Sequence, residues 1–351
     1  MEIPISNVYY LLCYAWNKLE ESDTIKIDPT QSTDLINLFA RVLISGVTHL
    51  LKKGFDRGYI VHSEETKVLR GRIQFQPTLK RGLLLRAQAH CEFDELSYDV
   101  LHNRILKTTL SRLIRADGID SLQREQLGEH WHNMPEVGTV DLSSQVFGKV
   151  QLYRNNHLYD FLLRVCELLH VNLLPTEKPG AWRFRSFLQD SKQMAALFEQ
   201  FVRNFYKREA WRVFPSGPVA VGREDIHWKF TTDNLEFARL LPKMQTDVCI
   251  TTGARKILIE CKYTSDPLEA ERYEGTQKLI SGHLFQVNSY LDNLPDSHVN
   301  NCCEAILLYP MAKHSIEAEY RRSKGQKVSI RTINLFQEWK GVAHDMLLLV
   351  S

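Results

Sequence analysis

The chain lacks the usual signatures of a membrane protein, a secreted protein or a nucleotide-driven motor. No stretch approaches the roughly twenty apolar residues needed to span a bilayer, and no basic segment precedes an apolar run at the N-terminus, so neither a membrane span nor a signal peptide is expected. No G-x-x-x-x-G-K-[ST] loop occurs, which excludes nucleotide hydrolysis by a phosphate-binding loop in this chain. Cysteine is sparse and odd in number: Cys13, Cys91, Cys166, Cys249, Cys261, Cys302 and Cys303, with no Cys-x-x-Cys pair. That spacing argues against a disulfide scaffold and a zinc cage, and fits reduced core thiols in a cytoplasmic protein. The thirteen histidines are dispersed, and only His283 sits near a polar motif. A charge excess is also missing. Lys and Arg number 44 against 42 Asp and Glu, a net +2. This rules out gripping DNA by bulk charge alone and suggests that another subunit brings it. There is no internal repeat and no low-complexity segment.

What is present is an ordinary globular composition, 44% hydrophobic and 25% charged, on a chain long enough for two domains. Residues 1–150 read as mixed α+β. Val8–Leu19 and Thr33–Leu51 have helical character, with Asn7 as a candidate N-cap. Tyr59–His62, Gly71–Phe75 and Leu83–Ala89 look like short strands, and Tyr98–Arg115 returns to helical periodicity. Pro135–Phe147 is looser. Residues 151–351 open on an apolar helix, Leu158–Leu174, followed by a Pro- and Gly-rich loop, Thr176–Trp182. A helix over Ser191–Ala210, strands, a further helix, then strands Ala305–Tyr309 and Val328–Leu335 suit an α/β domain with a central sheet flanked by helices.

The chemistry concentrates in that second part. Val248–Ile250 and Ile257–Ile259 are apolar, β-branched runs separated by Thr251-Thr252-Gly253-Ala254-Arg255, the pattern of a hairpin. Side chains alternate along a strand, so Glu260 and Lys262 share one face while Ile257, Ile259 and Cys261 share the other. Asp247 enters from the neighbouring strand. Two carboxylates so placed suit Mg²⁺, with Mn²⁺ able to substitute. Lys262 would position an attacking water or stabilise developing negative charge. A Glu-x-Lys at a strand end is also common as a solvated terminus, so further residues must weigh in. Glu199 lies at the edge of the stripe Met194, Leu197, Phe198, Phe201, Val202, Phe205 and Tyr206, where it either reaches the sheet rim or is simply solvated. Gln286 and Tyr290 share a helix face at i, i+4 and could hold a phosphate or a carboxylate. The basic run Arg321–Lys327 reads as a phosphate contact or as a solvated loop.

The order Glu199, Asp247, Glu260-x-Lys262, Gln286-x-x-x-Tyr290 resembles the RecB-like branch of the PD-(D/E)xK nucleases, with Thr246 where the superfamily name has Pro. The opening segment Ile3-Pro4-Ile5-Ser6-Asn7-Val8-Tyr9-Tyr10-Leu11-Leu12-Cys13-Tyr14-Ala15-Trp16 narrows the family. So do Arg70-Gly71-Arg72-Ile73-Gln74-Phe75, Lys80-Arg81-Gly82, Phe93-Asp94-Glu95-Leu96 and His102-Asn103-Arg104-Ile105-Leu106-Lys107. Together they resemble the McrC family, nuclease subunits of McrBC modification-dependent restriction systems, over nearly the whole chain.

The resemblance implies a Mg²⁺-dependent endonuclease with Asp247 and Glu260 on the metal. Glu199 would be an outer or second-metal carboxylate, and Lys262, Gln286 and Tyr290 the orienting groups. It implies a partner, an McrB-like hexameric AAA+ GTPase that consumes the GTP, is stimulated by this subunit, and reads modified cytosine in double-stranded DNA. Residues 1–150 would then bind the partner and 151–351 form the nuclease. Tyr9, Tyr10, Tyr14 and Trp16 are interface aromatics or helix core on this reading. Arg70, Arg72, Lys80 and Arg81 line a contact or solvate strands. The alternatives are a RecB-like exonuclease or repair nuclease, and a non-cleaving scaffold that activates a GTPase.

Overall fold

Six strands carry the apolar runs of the C-terminal half into one mixed sheet. Their spatial order is Glu317–Arg321, Lys327–Ile333, Cys303–Pro310, Lys256–Cys261, Val248–Thr251 and Ala220–Gly222. Lys256–Cys261 pairs antiparallel with Val248–Thr251, Ile257 facing Ile250 and Ile259 facing Val248. The hairpin expected there is formed. On its other side the same strand runs parallel to Cys303–Pro310, which runs parallel to Lys327–Ile333. The computed structural model describes residues 3–21, 32, 34–153, 156–253, 255–264, 266–270, 277–294, 303–311 and 315–351. Thr33, Ala254 and Cys302 of the sequence reading lie outside these residues.

Both faces of the central strands are covered, which is why they read as continuous apolar runs rather than alternating ones. One face packs Leu258, Ala305, Leu307, Tyr309 and Ile330 against Val287, Tyr290 and Leu291 of the helix Ser281–Asn293. The opposite face lies toward the helix Ser191–Glu209, whose stripe Met194, Phe198, Phe201, Val202, Phe205 and Tyr206 is fully buried. Burial of each such side chain stabilises by about 1.5–3 kcal/mol. Asp190 starts this helix by accepting from the amides of Lys192 and Gln193.

The chain divides into two compact units, residues 1–20 with 187–351, and residues 21–186. This differs from the expected division at 150 in both directions, for one physical reason: apolar helix faces go where they can be covered. The helix Ile5–Ala15 packs on Ser191–Glu209, with Tyr14 against Phe201 and Phe205 and Tyr10 stacked on Trp339 at 4.8 Å. Tyr9 and Tyr14 are therefore core residues. Asn7 is no N-cap. It lies inside the helix, buried, donating to the carbonyls of Leu335 and Gln337 at 2.8 and 2.7 Å. Conversely, the helix His157–Asn172, expected in the second domain, packs on Leu35–Lys53 and Leu101–Ile114 of the 21–186 unit.

That second unit combines those helices and Ser121–His132 with an antiparallel pair, Gly58–Thr66 and Ala89–Ser97, to which Arg72–Ile73 adds. Leu83–Ala89 is not a strand. Leu83–Arg86 forms a short 3₁₀ turn between left-handed Gly82 and Ala87, and the strand begins at Ala89. Phe75–Lys80 is a short helix the sequence reading did not anticipate. Asn103 and Lys107 hold the interior together: Asn103 donates to the carbonyls of Asp56 and Tyr98, and Lys107 to those of Met134 and Val137. The expectation that no segment matches a bilayer is corrected in one respect. Among the described residues Leu35–Lys53 is long and apolar enough to cross one, but most of it is buried inside the unit.

Candidate active site

The hairpin delivers its two acids to one end of the sheet. Asp247 precedes the strand Val248–Thr251, and Glu260 closes the buried part of Lys256–Cys261. The amide of Cys261 donates to Asp247 Oδ2 at 2.8 Å, which fixes the first acid beside the end of the second strand. Glu260 is only 4% exposed. Its Oε1 accepts from Lys262 Nζ at 2.6 Å, and its Oε2 is buried with no hydrogen-bond partner.

Lys262 Nζ donates also to Gln286 Oε1 at 2.8 Å. Gln286 Nε2 donates in turn to the Tyr290 hydroxyl at 2.7 Å, and that hydroxyl donates to the Gln245 carbonyl at 2.9 Å. The i, i+4 pair thus forms a relay from the lysine back to the chain just before Asp247. Alternation along the strand brings Glu260 and Lys262 to the face covered by Ser281–Asn293, as expected. Cys261 turns to the other face, where Tyr206 lies and burial pushes its thiol well above the ordinary range.

Glu199 reaches the sheet rim. Its Oε1 accepts from Arg203 Nη1 at 2.7 Å and from Arg223. Arg203 Nη1 lies 3.2 Å from the Asp247 carbonyl and ties the helix to the strand end. These two arginines were missed in the sequence. Arg203 is legible in retrospect as the i+4 partner of Glu199, whereas Arg223 comes from a distant loop and leaves no local signal. His283 pairs with the Tyr309 hydroxyl at 2.8 Å, beside the relay rather than in it. Three cations of the basic run near 321–327 have acidic partners: Arg322 and Lys324 share Asp292, and Lys327 pairs with Glu319, which also meets Arg331.

The electrostatics follow from burial. Asp247 is pushed up to about 6, chiefly by desolvation and then by the charge of Glu199. Glu260 is pushed up to about 7 by desolvation and by Asp247. Tyr290 is pushed up to about 12, so it stays a neutral donor. Once both are ionised, two acids sharing one site and one lysine leave negative charge uncompensated, and one oxygen of Glu260 has no hydrogen-bond partner. A hard divalent cation fits that deficit. Among the described residues no group of three or more His, Cys, Asp or Glu forms a ready cage. Asp247 and Glu260 are the candidate ligands, with Glu199 one step away on its arginines.

The family model for the McrBC 5-methylcytosine restriction system component matches residues 6–310. The chain belongs to this family. The McrBC-family match spans both compact units and the hairpin that carries Asp247, Glu260 and Lys262. The chain is 28% identical over 345 residues to the type IV methyl-directed restriction enzyme EcoKMcrBC of Escherichia coli K12, covering 98% of this chain and 96% of the relative. Its fold is similar, at a TM-score of 0.59 and 15% identity, to a chain in the half-complex from the tetradecameric assembly of Thermococcus gammatolerans McrB AAA+ hexamers with bound McrC. That alignment covers 99% of this chain and 76% of the other.

Proposed function

We propose that this McrBC-family chain is the DNA endonuclease subunit of its restriction system, and that it works with an McrB-like hexameric AAA+ GTPase. The observation that carries the reading is the convergence of Asp247, Glu260 and Lys262 at one sheet end, with Gln286 and Tyr290 behind the lysine.

Asp247 and Glu260 would hold Mg²⁺, or Mn²⁺ in its place. Bound there, the ion supplies a lowered water pKa and neutralisation of the scissile phosphate. The remaining work falls to the chain. Lys262 Nζ, held by Glu260 and Gln286, directs its proton toward the attacking water or the developing negative charge. Tyr290, anchored on the Gln245 carbonyl, keeps the Gln286 amide in one orientation, so the lysine is positioned before substrate arrives. Water attacks phosphorus in line and gives up a proton to solvent, the bond to the 3′-oxygen breaks, that oxygen takes a proton from solvent, and a 5′-phosphate remains. Arg203 and Arg223 hold Glu199 as an outer carboxylate.

The names of the relatives support the partner and the substrate: methyl-directed restriction in one, McrB AAA+ hexamers with bound McrC in the other. The unit 21–186 supports a partner-binding role by its surface. Phe75, Leu79, Leu84 and Leu85 are exposed, Leu85 at 93%, on neighbouring short turns. Such a patch marks a contact surface. In this reading modified double-stranded DNA is recognised by the partner, which consumes the GTP and is stimulated by this subunit.

The test is digestion of cytosine-methylated and unmethylated circular plasmid with Mg²⁺ and GTP, with and without the AAA+ partner. Cleavage that needs both methylation and partner, and is lost in Asp247→Asn, is expected. Cutting that needs a DNA end would assign an exonuclease instead. GTPase stimulation without cutting under any metal would assign a scaffold.

A further inference from the structure

The 21–186 unit carries a polar cleft of about 370 Å³, remote in sequence from the acids and open to solvent. It is built on the last turns of the helix Leu101–Ile114. Arg112 and Arg115 are three residues apart there and share a face with Thr108 and Ser111. Residues 139–141 and Trp182 form the facing wall.

Among the described residues neither arginine makes an ion pair within 4 Å of a carboxylate. The Arg112 guanidinium lies over the Trp182 ring, 4.4 Å from its centroid, and one of its nitrogens meets His170 Nδ1 at 3.0 Å. That contact requires an unprotonated His170 Nδ1, and both burial and Arg112 hold the histidine's pKa below its ordinary value. Arg115 spends Nε and one terminal nitrogen on Ser111, leaving the other. Asp141 is the one acid in the lining. The Thr108 hydroxyl accepts from the Val140 amide and keeps its own proton to give. Two arginines with spare donors, Arg112 half-buried and Arg115 exposed, set among hydroxyls against one acid, make a cleft complementary to a compact multivalent anion.

We propose that Thr108, Ser111, Arg112, Arg115 and Thr139 form a phosphate-binding site, taking the phosphate of a nucleotide or of a nucleic-acid backbone. Arginine at a helix C-terminus also complements the helix dipole. That role alone accounts for neither the stacking of Arg112 on Trp182 nor the arrival of Thr139 from a second segment.

The test uses the full chain. Inorganic phosphate is scored by the shift in melting temperature against chloride at matched ionic strength, dCMP by calorimetry, and a short DNA duplex by anisotropy across salt. Arg115 is exposed, so Arg115→Gln leaves the fold intact. Arg112→Gln and the charge-conserving Arg112→Lys complete the set. Phosphate binding is expected to weaken about tenfold or more in both glutamine variants and less in Arg112→Lys. Loss of dCMP with duplex affinity intact assigns a free nucleotide. Weakened duplex binding, with the salt slope reduced by about one, assigns the nucleic-acid strand. No binding of any probe by the unaltered chain, or affinities within twofold of it in both glutamine variants, overturns the proposal. The candidate cleavage centre is untouched by either substitution, so the outcome is independent of the nuclease reading.

Discussion

The amide of Cys261 and the carboxylate of Asp247 are joined at 2.8 Å, across the two strands of one hairpin. The bond lies just past Ile259 opposite Val248, the last paired position. Where the ladder ends, a side chain takes over as acceptor. The acid is thereby held by backbone, and its position follows from strand register rather than from a mobile rotamer.

Asp247→Asn keeps an acceptor for that amide but removes a charge. Plasmid cleavage with partner, Mg²⁺ and GTP should fall by about a thousandfold or more, while assembly with the partner is retained. Loss of assembly in a well-folded variant, seen by size-exclusion chromatography, would contradict the division of roles between the two units.

The raised acids make stability depend on pH. Folding lifts Asp247 to about 6 and Glu260 to about 7, from ordinary values near ~4. The folded chain therefore binds these protons more tightly than the unfolded one. The stabilisation is complete below about pH 4 and is lost as pH rises through about 6 to 7. Metal-free protein should lose melting temperature over this window, and Asp247→Asn should flatten the loss. Mg²⁺ should raise the melting temperature above pH 7 and do little below pH 5, because the ligands must first ionise. A metal effect equal at both ends would place the ion elsewhere.

Lys262→Met removes the proton donor and leaves Glu260 buried without its cation. Cleavage should drop by about a hundredfold or more. The Glu260 pKa should rise further, moving the remaining pH–rate profile to higher pH. An unchanged rate would remove the lysine from the chemistry.

Tyr290→Phe cuts the relay at its anchor while the ring stays packed. The Gln286 amide loses its acceptor and the Gln245 carbonyl its donor, at a cost of about 1–3 kcal/mol in stability. The cleavage rate should fall by about tenfold with little change in DNA affinity. A pure stability effect, with normal rate at low temperature, would make the relay structural only.

Asn7→Ala probes the union of the N-terminal helix with the C-terminal unit. It strands the buried carbonyl of Leu335 and the partly buried one of Gln337, and should cost about 1–3 kcal/mol, read as a lowered denaturation midpoint. An effect near zero would mean that this helix contributes little to the unit.

The candidate site was largely legible because its parts obey local rules. β-Branched runs gave the hairpin, alternation gave the shared face of Glu260 and Lys262, and helical spacing gave Gln286 with Tyr290 and placed Glu199. What escaped depends on distance along the chain. Arg223 meets Glu199 only after folding, and Asn7 resembles a cap until its partners more than three hundred residues away are known. Leu83–Ala89 misled because only Leu83 of its three leucines is buried, Leu84 and Leu85 being exposed, and left-handed Gly82 and Ala87 bend the chain into a turn. The division at 150 failed because covering a helix face does not require sequence neighbours.

The first twenty residues belong with the last, and this sets an order of events during synthesis. All residues of the compact 21–186 unit are translated before Ser191–Glu209, and domains generally fold as units in the order of their synthesis. The helix Ile5–Ala15, made first, must wait with its aromatic face uncovered until Ser191–Glu209 and Trp339–Leu348 have been translated. The candidate site, whose residues run from Glu199 to Tyr290, is thus assembled on a framework that closes only when both ends of the chain are present.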